Sequence, residues 1–122
     1  MQAREIFTFK LLFSYKSFTK MNNISVEDLK KRLEAGETVN LLDVREPDER
    51  AAFNIGGTHI PLGQIMGFQV DPIEDKKDEE LVVYCRSGKR SGQACMFLET
   101  MGFTNVVNLD GGMMDWELKF PG

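Results

Sequence analysis

The chain has 122 residues, enough for one domain with a single hydrophobic core and too few for two. Its 42% hydrophobic and 10% aromatic residues are typical of a folded globular protein, and its net charge of −4 disfavours nucleic acid or an anionic membrane as the main partner. No apolar run reaches the roughly 18 residues of a transmembrane helix, and the two cysteines and one histidine predict neither a metal site nor a disulfide framework.

Residues 1–20 differ from the rest of the chain in being basic and rich in aromatic residues. Their longest uninterrupted apolar run, Leu11–Phe13, is shorter than the roughly 7–15 residues of a secretory signal core. Three alternatives stay open for this segment: an added strand, a loose arm, or sequence upstream of a true start at Met21. We therefore divide the chain into an N-terminal extension, residues 1–20, and one domain, residues 21–122.

The first predicted elements of the domain are a helix and a buried strand. Ser25 is a helix N-cap residue with an acid three positions later, and Leu29 and Leu33 follow at helical spacing before Gly36 ends the helix. Residues 39–45 contain too few polar positions for a surface strand. This pattern is typical of a parallel strand that is covered on both faces.

The buried strand ends in a pair of opposite charges, Asp43 and Arg45. The simpler interpretation is an ion pair that fixes the turn into the next helix, for which Pro47 predicts a start and Phe53 an end. The alternative is that either charged side chain orients a catalytic loop from a neighbouring strand. His59, beside another apolar stretch, is expected to be a packed or surface residue.

Residues 63–80 have the weakest secondary-structure pattern in the domain. The charged run 74–80 predicts a solvated connection to the next strand. Met66 and Phe68 either border the mouth of a site or pack inward, and the sequence does not choose between these two arrangements.

Residues 81–92 give the strongest functional signal in the chain. The apolar run 81–84 predicts a strand that ends at Cys85, and apolar residues at helical spacing predict a helix after the loop. Loop N–H groups and a helix N-terminus around one sulfur stabilise an anion. The loop also carries three cations, Arg86, Lys89 and Arg90. We therefore expect a lowered pKa for Cys85 and a thiolate at neutral pH.

The remainder of the chain predicts a helix, a short strand and a last helix. The helix after the loop has an apolar stripe formed by Ala94, Leu98 and Met101. Cys95 borders this stripe and is expected to be a small core residue, with a resolving thiol as the alternative. Residues 106–109 form the predicted strand, Gly111 and Gly112 the turn after it, and Trp116 the core anchor of the last helix.

The run Tyr84-Cys85-Arg86-Ser87-Gly88-Lys89-Arg90-Ser91 resembles the active-site loop of the rhodanese family, which comprises single-domain sulfurtransferases. Residues 43–46, 54–62 and 111–116 resemble three further signatures, so that the resemblance extends over residues 22–118. Asn54 stands where the family usually has histidine, and no catalytic role is therefore carried over to His59. The resemblance implies an α/β fold, with a central parallel sheet of about four to five strands and helices on both faces.

The resemblance also implies a reaction, the transfer of sulfane sulfur through a persulfide on Cys85. The donor would be a small anion such as thiosulfate or a protein persulfide, and the acceptor would be a thiol or cyanide. The implied substrate-binding residues are Arg86, Ser87, Gly88, Lys89, Arg90 and Ser91, supported by Asp43 and Arg45. No metal or other cofactor and no nucleic-acid or membrane partner is implied. A free thiolate suits a reducing compartment, and we expect the cytoplasm.

Three other functions compete with this one. A cysteine phosphatase is disfavoured because Ser91 occupies the place of the arginine in the Cys-x5-Arg loop, and Tyr84 that of the usual histidine. A non-catalytic interaction module of the same fold is disfavoured because the cysteine and the cationic loop are both present. A relay, in which donor and acceptor are proteins, stays open. Ser87 and Ser91 either donate hydroxyl hydrogen bonds or cap local turns.

Overall fold

The computed structural model describes residues 22–121, in which strands and helices alternate. The strands are β1 (Asn22–Ile24), β2 (Leu41–Asp43), β3 (Thr58–His59), β4 (Leu81–Tyr84) and β5 (Val106–Leu109). The helices are α1 (Val26–Glu34), α2 (Pro47–Ala52), α3 (Leu62–Met66), α4 (Lys89–Thr100) and α5 (Gly112–Lys119), with a 3-10 helix at Asp71–Lys76. The predictions for residues 1–20 lie outside the described part of the chain.

The strands form one parallel sheet in the order β1-β5-β4-β2-β3. The predicted α/β fold with a parallel sheet is therefore confirmed, and the part of the sheet formed by residues 22–121 has five strands. β4 lies at its centre, between β5 and β2. Because all strands run in the same direction, the residues that follow β4, β5 and β2 meet at one edge of the sheet, where ligands bind in this class of fold.

Helices cover both faces of the sheet, as expected. Successive residues of β4 point to opposite faces, so Val83 packs in a cluster with side chains of α3 and α4, whereas Val82 and Tyr84 pack with side chains of α1 and α5. The predicted anchor Trp116 belongs to the second cluster and is buried. Two apolar layers therefore hold β4, and with it the start of the loop, in place.

The prediction of a cap at the start of α1 is confirmed. The Ser25 side chain accepts a hydrogen bond from the backbone N–H of Asp28 at 3.1 Å. Gly36, directly after the helix, has a φ of +83°, a conformation that glycine adopts readily and that ends helices.

The charged run 74–80 is exposed or half-buried, as expected for a solvated connection, but residues 63–80 also contain regular structure. α3 and the 3-10 helix are folded there, and Ile65, Val70 and Ile73 are buried in the core. Ile65 lies in α3, Val70 in the loop after it and Ile73 in the 3-10 helix. The three residues therefore show no helical or strand period, which is why the sequence pattern did not reveal them. Met66 and Phe68 are largely exposed and do not pack inward.

Candidate active site

Cys85 follows β4 directly, at the carboxyl edge of the sheet, and its side chain is buried. The backbone N–H of Gly88 donates a hydrogen bond to Cys85 Sγ at 3.1 Å. The Ser91 hydroxyl lies 3.3 Å from the same sulfur. The loop therefore brings donors to the sulfur on its inner side, while Arg86 and Ser87 lie on the exposed outer side.

The loop keeps this shape because its first two carbonyls are held from behind by α5. The backbone N–H groups of Met113 and Met114 donate to the carbonyls of Cys85 and Arg86, both at 2.9 Å. With these carbonyls turned towards α5, the N–H groups that follow are free to face the sulfur. Gly112, at the start of α5, permits the contact: its φ is +57°, and an added Cβ would lie 2.6 Å from both carbonyl oxygens.

Hydrogen bonds give the sulfur an environment that favours the thiolate. Burial alone would raise the pKa of Cys85, but hydrogen bonds from the Ser91 hydroxyl and from the N–H groups of Ser91, Gly88 and Ser87 outweigh it. The pKa of Cys85 is consequently lowered from its ordinary value. The donors that stabilise the charge are the ones that the loop conformation directs inward.

Arg90, expected as one of three cations beside the sulfur, has a carboxylate partner of its own. Arg90 forms two hydrogen bonds to the Glu49 carboxylate of α2, at 2.7 and 2.8 Å. The pKa of Arg90 is raised, chiefly by the hydrogen bonds to Glu49 and to a smaller extent by attraction to Cys85. The pairing also lowers the pKa of Glu49 to about 2. Arg86 and Lys89 are exposed and enter no ion pair within residues 22–121.

Asp43 and Arg45 form a buried ion pair at the end of β2. Asp43 accepts from the Arg45 backbone and from its guanidinium at 2.9–3.0 Å, and it also binds Arg50 of α2 at 3.3 Å. Burial opposes ionisation of Asp43, but the bonds from Arg45 keep the pKa of its carboxyl below the ordinary value. This geometry fixes the turn from β2 into α2, as the simpler interpretation predicted. Next to the loop, the Arg45 guanidinium lies 5.5 Å from the ring of Tyr84.

Two further polar side chains have structural partners. His59 Nε2 lies 2.8 Å from the backbone oxygen of Arg45, and the Tyr84 hydroxyl donates to the carbonyl of Gly56 at 2.8 Å.

Cys95 lies in the core beside α4's apolar stripe, and burial raises the pKa of its thiol to about 12. Cys95 is thus a protonated core residue in this structure.

Asn108 is a site residue that sequence reasoning missed. It lies on β5, next to Val83 of β4 in the strand register, and is 8% exposed. Its side-chain nitrogen donates to the carbonyl of Gly88 at 3.1 Å, and its oxygen lies 2.5 Å from the Ser91 hydroxyl. The available signal was a single amide within the apolar strand 106–109, just before the glycine pair.

A cleft of about 640 Å³ lies between α2 and α5, beside the loop. Its wall combines the cation Arg86, the carboxylates of Asp48 and Glu117, and the exposed apolar side chains of Met114 and Leu118. A ligand with both polar and apolar groups could therefore approach the loop along this surface.

Within residues 22–121, no helix has the length and apolar character needed to cross a membrane. The same residues contain no group of three or more histidine, cysteine, aspartate or glutamate side chains arranged to hold a metal ion.

Comparison with known proteins gives a consistent result. The family described as "Rhodanese-like domain" matches residues 25–119. The chain is 41% identical over 99 residues to the putative sulfurtransferase YtwF of Bacillus subtilis, covering 80% of this chain and 92% of that protein. It is 32% identical over 113 residues to the thiosulfate:glutathione sulfurtransferase of Saccharomyces cerevisiae, covering 83% and 81%. The structure of the human single-domain sulfurtransferase TSTD1 superposes with a TM-score of 0.67 at 28% identity, covering 84% and 100%.

Proposed function

Because the chain belongs to the rhodanese-like domain family, we propose that it is a sulfurtransferase in which Cys85 carries the sulfur as a persulfide. The observation that carries the proposal is the position of Cys85 Sγ, at the carboxyl end of the central strand and within hydrogen-bond reach of the Gly88 N–H and the Ser91 hydroxyl. A lowered thiol pKa gives a nucleophile without a separate general base.

In the first half-reaction, the Cys85 thiolate attacks the outer sulfur of thiosulfate. A bond forms between Sγ and that sulfur, the sulfur–sulfur bond of thiosulfate breaks, and sulfite leaves with the bonding electron pair. The electron pair of the thiolate becomes the new bond, and the outer sulfur of the persulfide carries one negative charge. Preorganised N–H groups of residues 86–91 stabilise that charge without further rearrangement, as an oxyanion hole does.

In the second half-reaction, a thiolate or cyanide attacks the outer sulfur. The new bond forms as the bond to Sγ breaks, and Cys85 leaves as the thiolate that began the cycle. The cleft beside Arg86 offers an approach for an acceptor that carries polar groups. Since the yeast relative is named for glutathione, glutathione is the thiol acceptor that we would test alongside cyanide.

Substrate-binding roles follow from the positions of the loop residues. The exposed cations Arg86 and Lys89 attract an anionic donor, whereas Arg90, held by Glu49, braces the loop against α2. Ser87, Gly88 and Ser91 bind the sulfur through their N–H groups. Asp43 and Arg45 support the site by fixing the adjacent turn. A thiolate at Cys85 would stay free in a reducing compartment, which suits the cytoplasm.

The test is the intact mass of the protein after incubation with thiosulfate, before and after addition of glutathione or cyanide. We expect a gain of one sulfur atom that maps to Cys85 and disappears with the acceptor. Cys85→Ser, which preserves the size of the side chain, should not gain the sulfur, and the control Cys95→Ala should gain it fully. Loading by a protein persulfide but not by thiosulfate would favour the relay. Loading by neither donor would favour the non-catalytic module.

A further inference from the structure

The Ser91 hydroxyl has one proton and two acceptors within reach. Its oxygen lies 2.5 Å from Asn108 Oδ1 and 3.3 Å from Cys85 Sγ. The orientation of the Asn108 amide is fixed, because its nitrogen donates to the Gly88 carbonyl at 3.1 Å. The amide oxygen therefore faces Ser91, where it can only accept, and competes with the sulfur for a single hydrogen bond.

We propose that Asn108 is a positioning residue for sulfur transfer: it accepts the Ser91 hydroxyl hydrogen bond whenever Cys85 Sγ is uncharged and gives it up to Sγ when the thiolate forms. The switch requires only rotation about the Cβ–Oγ bond of Ser91, and the proton stays on its oxygen. Both Ser91 and Asn108 are buried, at 0% and 8% exposure. Because bulk water has little access to these atoms, the amide oxygen is the partner that holds the hydroxyl in its second position.

The inference rests on the proposed function for its role in the cycle. In the free thiolate the charge is on Sγ, and Ser91 donates to it. In the persulfide the charge has moved to the outer sulfur, so that Sγ no longer needs the donor and the hydroxyl returns to Asn108. The same loop thus accommodates an anion at two positions, one sulfur apart, without a backbone movement.

Ser91 and Asn108 are the groups near Cys85 whose hydrogen bonds can change, because the other neighbouring groups are held in place. Arg90 of α4 is the cation that interacts with the sulfur, and Glu49 of α2 holds it. Cys95, also on α4, has a pKa of about 12 and stays protonated at neutral pH. The other donors to Sγ are backbone N–H groups, which cannot rotate away.

The test is a double-mutant cycle on the free protein with Ser91→Ala and Asn108→Leu, which removes the polar atoms of Asn108 but keeps its branched shape. The readout is the pKa of Cys85, followed by the ultraviolet absorbance of the thiolate, to which Cys95 does not contribute below its own pKa of about 12. Asn108→Leu should lower the pKa, because the hydroxyl then donates to sulfur alone. Ser91→Ala should raise the pKa of Cys85 with or without Asn108→Leu. The rise should be larger by about half a unit to one unit in the protein that also carries Asn108→Leu.

The inference would be overturned if Asn108→Leu shifted the pKa of Cys85 by the same amount with and without the Ser91 hydroxyl. Asn108 would then act only through its hydrogen bond to Gly88. Thermal unfolding of each variant shows whether it is folded. If Asn108→Leu does not fold, Asn108→Asp serves instead. Its carboxylate competes more strongly for the hydroxyl, so it should raise the pKa more with Ser91 than with Ser91→Ala, and equal rises would again overturn the inference. None of these measurements uses a sulfur donor, so their failure is distinct from a failure to load Cys85.

Discussion

Gly112→Ala is the substitution that most directly tests how α5 shapes the loop. The added Cβ would lie 2.6 Å from the carbonyl oxygens of both Cys85 and Arg86. Neither oxygen can move independently, since each belongs to the loop backbone and accepts a hydrogen bond from α5. Relief of the contact therefore requires the loop to move away from α5, which rotates the N–H groups away from Cys85 Sγ.

The expected loss of stability has two parts. A φ of +57° costs an alanine about 1–2 kcal/mol relative to glycine, and overpacking against backbone adds about 1–3 kcal/mol. We therefore expect Gly112→Ala to lower the free energy of unfolding by about 2–5 kcal/mol. We also expect a higher pKa of Cys85 and a loss of sulfur loading.

Two glycines separate these contributions. Gly36 has a φ of +83° with nothing within 4 Å of an added Cβ, so Gly36→Ala measures the conformational cost alone. Gly63, inside α3, has neither a positive φ nor a close neighbour, so Gly63→Ala should be neutral or stabilise by up to about 1 kcal/mol. Urea unfolding gives the stability of each variant, and intact mass after thiosulfate gives its sulfur loading.

The reasoning would be refuted if Gly112→Ala proved no more destabilising than Gly36→Ala and loaded sulfur as the natural protein does. Such a result would mean that the loop holds its conformation without the close contact to α5. A destabilised variant that still loads sulfur at the natural rate would refute the link between this contact and the orientation of the N–H groups.

Three further predictions concern side chains around the loop. Because the pKa of Glu49 is lowered to about 2, its ion pair with Arg90 stabilises the fold above about pH 4.5, and this contribution is lost as the pH falls towards 2. In Glu49→Gln, the free energy of unfolding in urea should therefore fall by about 1 kcal/mol less over this pH range. An unchanged pH profile would contradict this. Arg86→Ala should slow loading by thiosulfate about tenfold at low ionic strength, with the difference shrinking in high salt; a loss independent of salt in stopped-flow measurements would argue against electrostatic attraction. Cys95→Ala should transfer sulfur from Cys85 at the natural rate, because a thiol with a pKa of about 12 is not a nucleophile at neutral pH; slower transfer would support the resolving-thiol alternative.

The part of the site that lies within one continuous stretch could be predicted from the sequence. A buried strand ending at Cys85, followed by a glycine-containing loop and a helix, determines where the sulfur and the nearest N–H groups lie. The apolar pattern of residues 39–45 indicated a parallel strand covered on both faces, whereas the central parallel sheet as a whole was implied by the family resemblance. The three residues of β1, two of them asparagines, showed no strand pattern at all.

The partners of the loop could not be predicted, because they are distant in sequence. Glu49 and Arg90 are 41 positions apart, and each is a common surface residue when considered alone. Asn108 is 17 positions from Ser91 and on a different strand. Only the register of β4 against β5 places its amide beside the loop. The sequence therefore indicated the atom that we propose to react, while tertiary contacts determine which charges and hydrogen bonds surround it.

The packing of α5 has a consequence for how the protein should fail on heating. α5 packs through Trp116 in the cluster that it shares with α1 and one face of the sheet, and Lys119 binds Glu27 of α1 at 2.7 Å. Detachment of this last helix would release the carbonyls of Cys85 and Arg86 while the sheet stayed folded, since local opening requires less free energy than global unfolding. On heating, sulfur transfer should therefore be lost at a lower temperature than the sheet structure. Hydrogen exchange of the Met113 and Met114 amides should increase over the temperature range in which transfer is lost, not over the range in which the sheet melts.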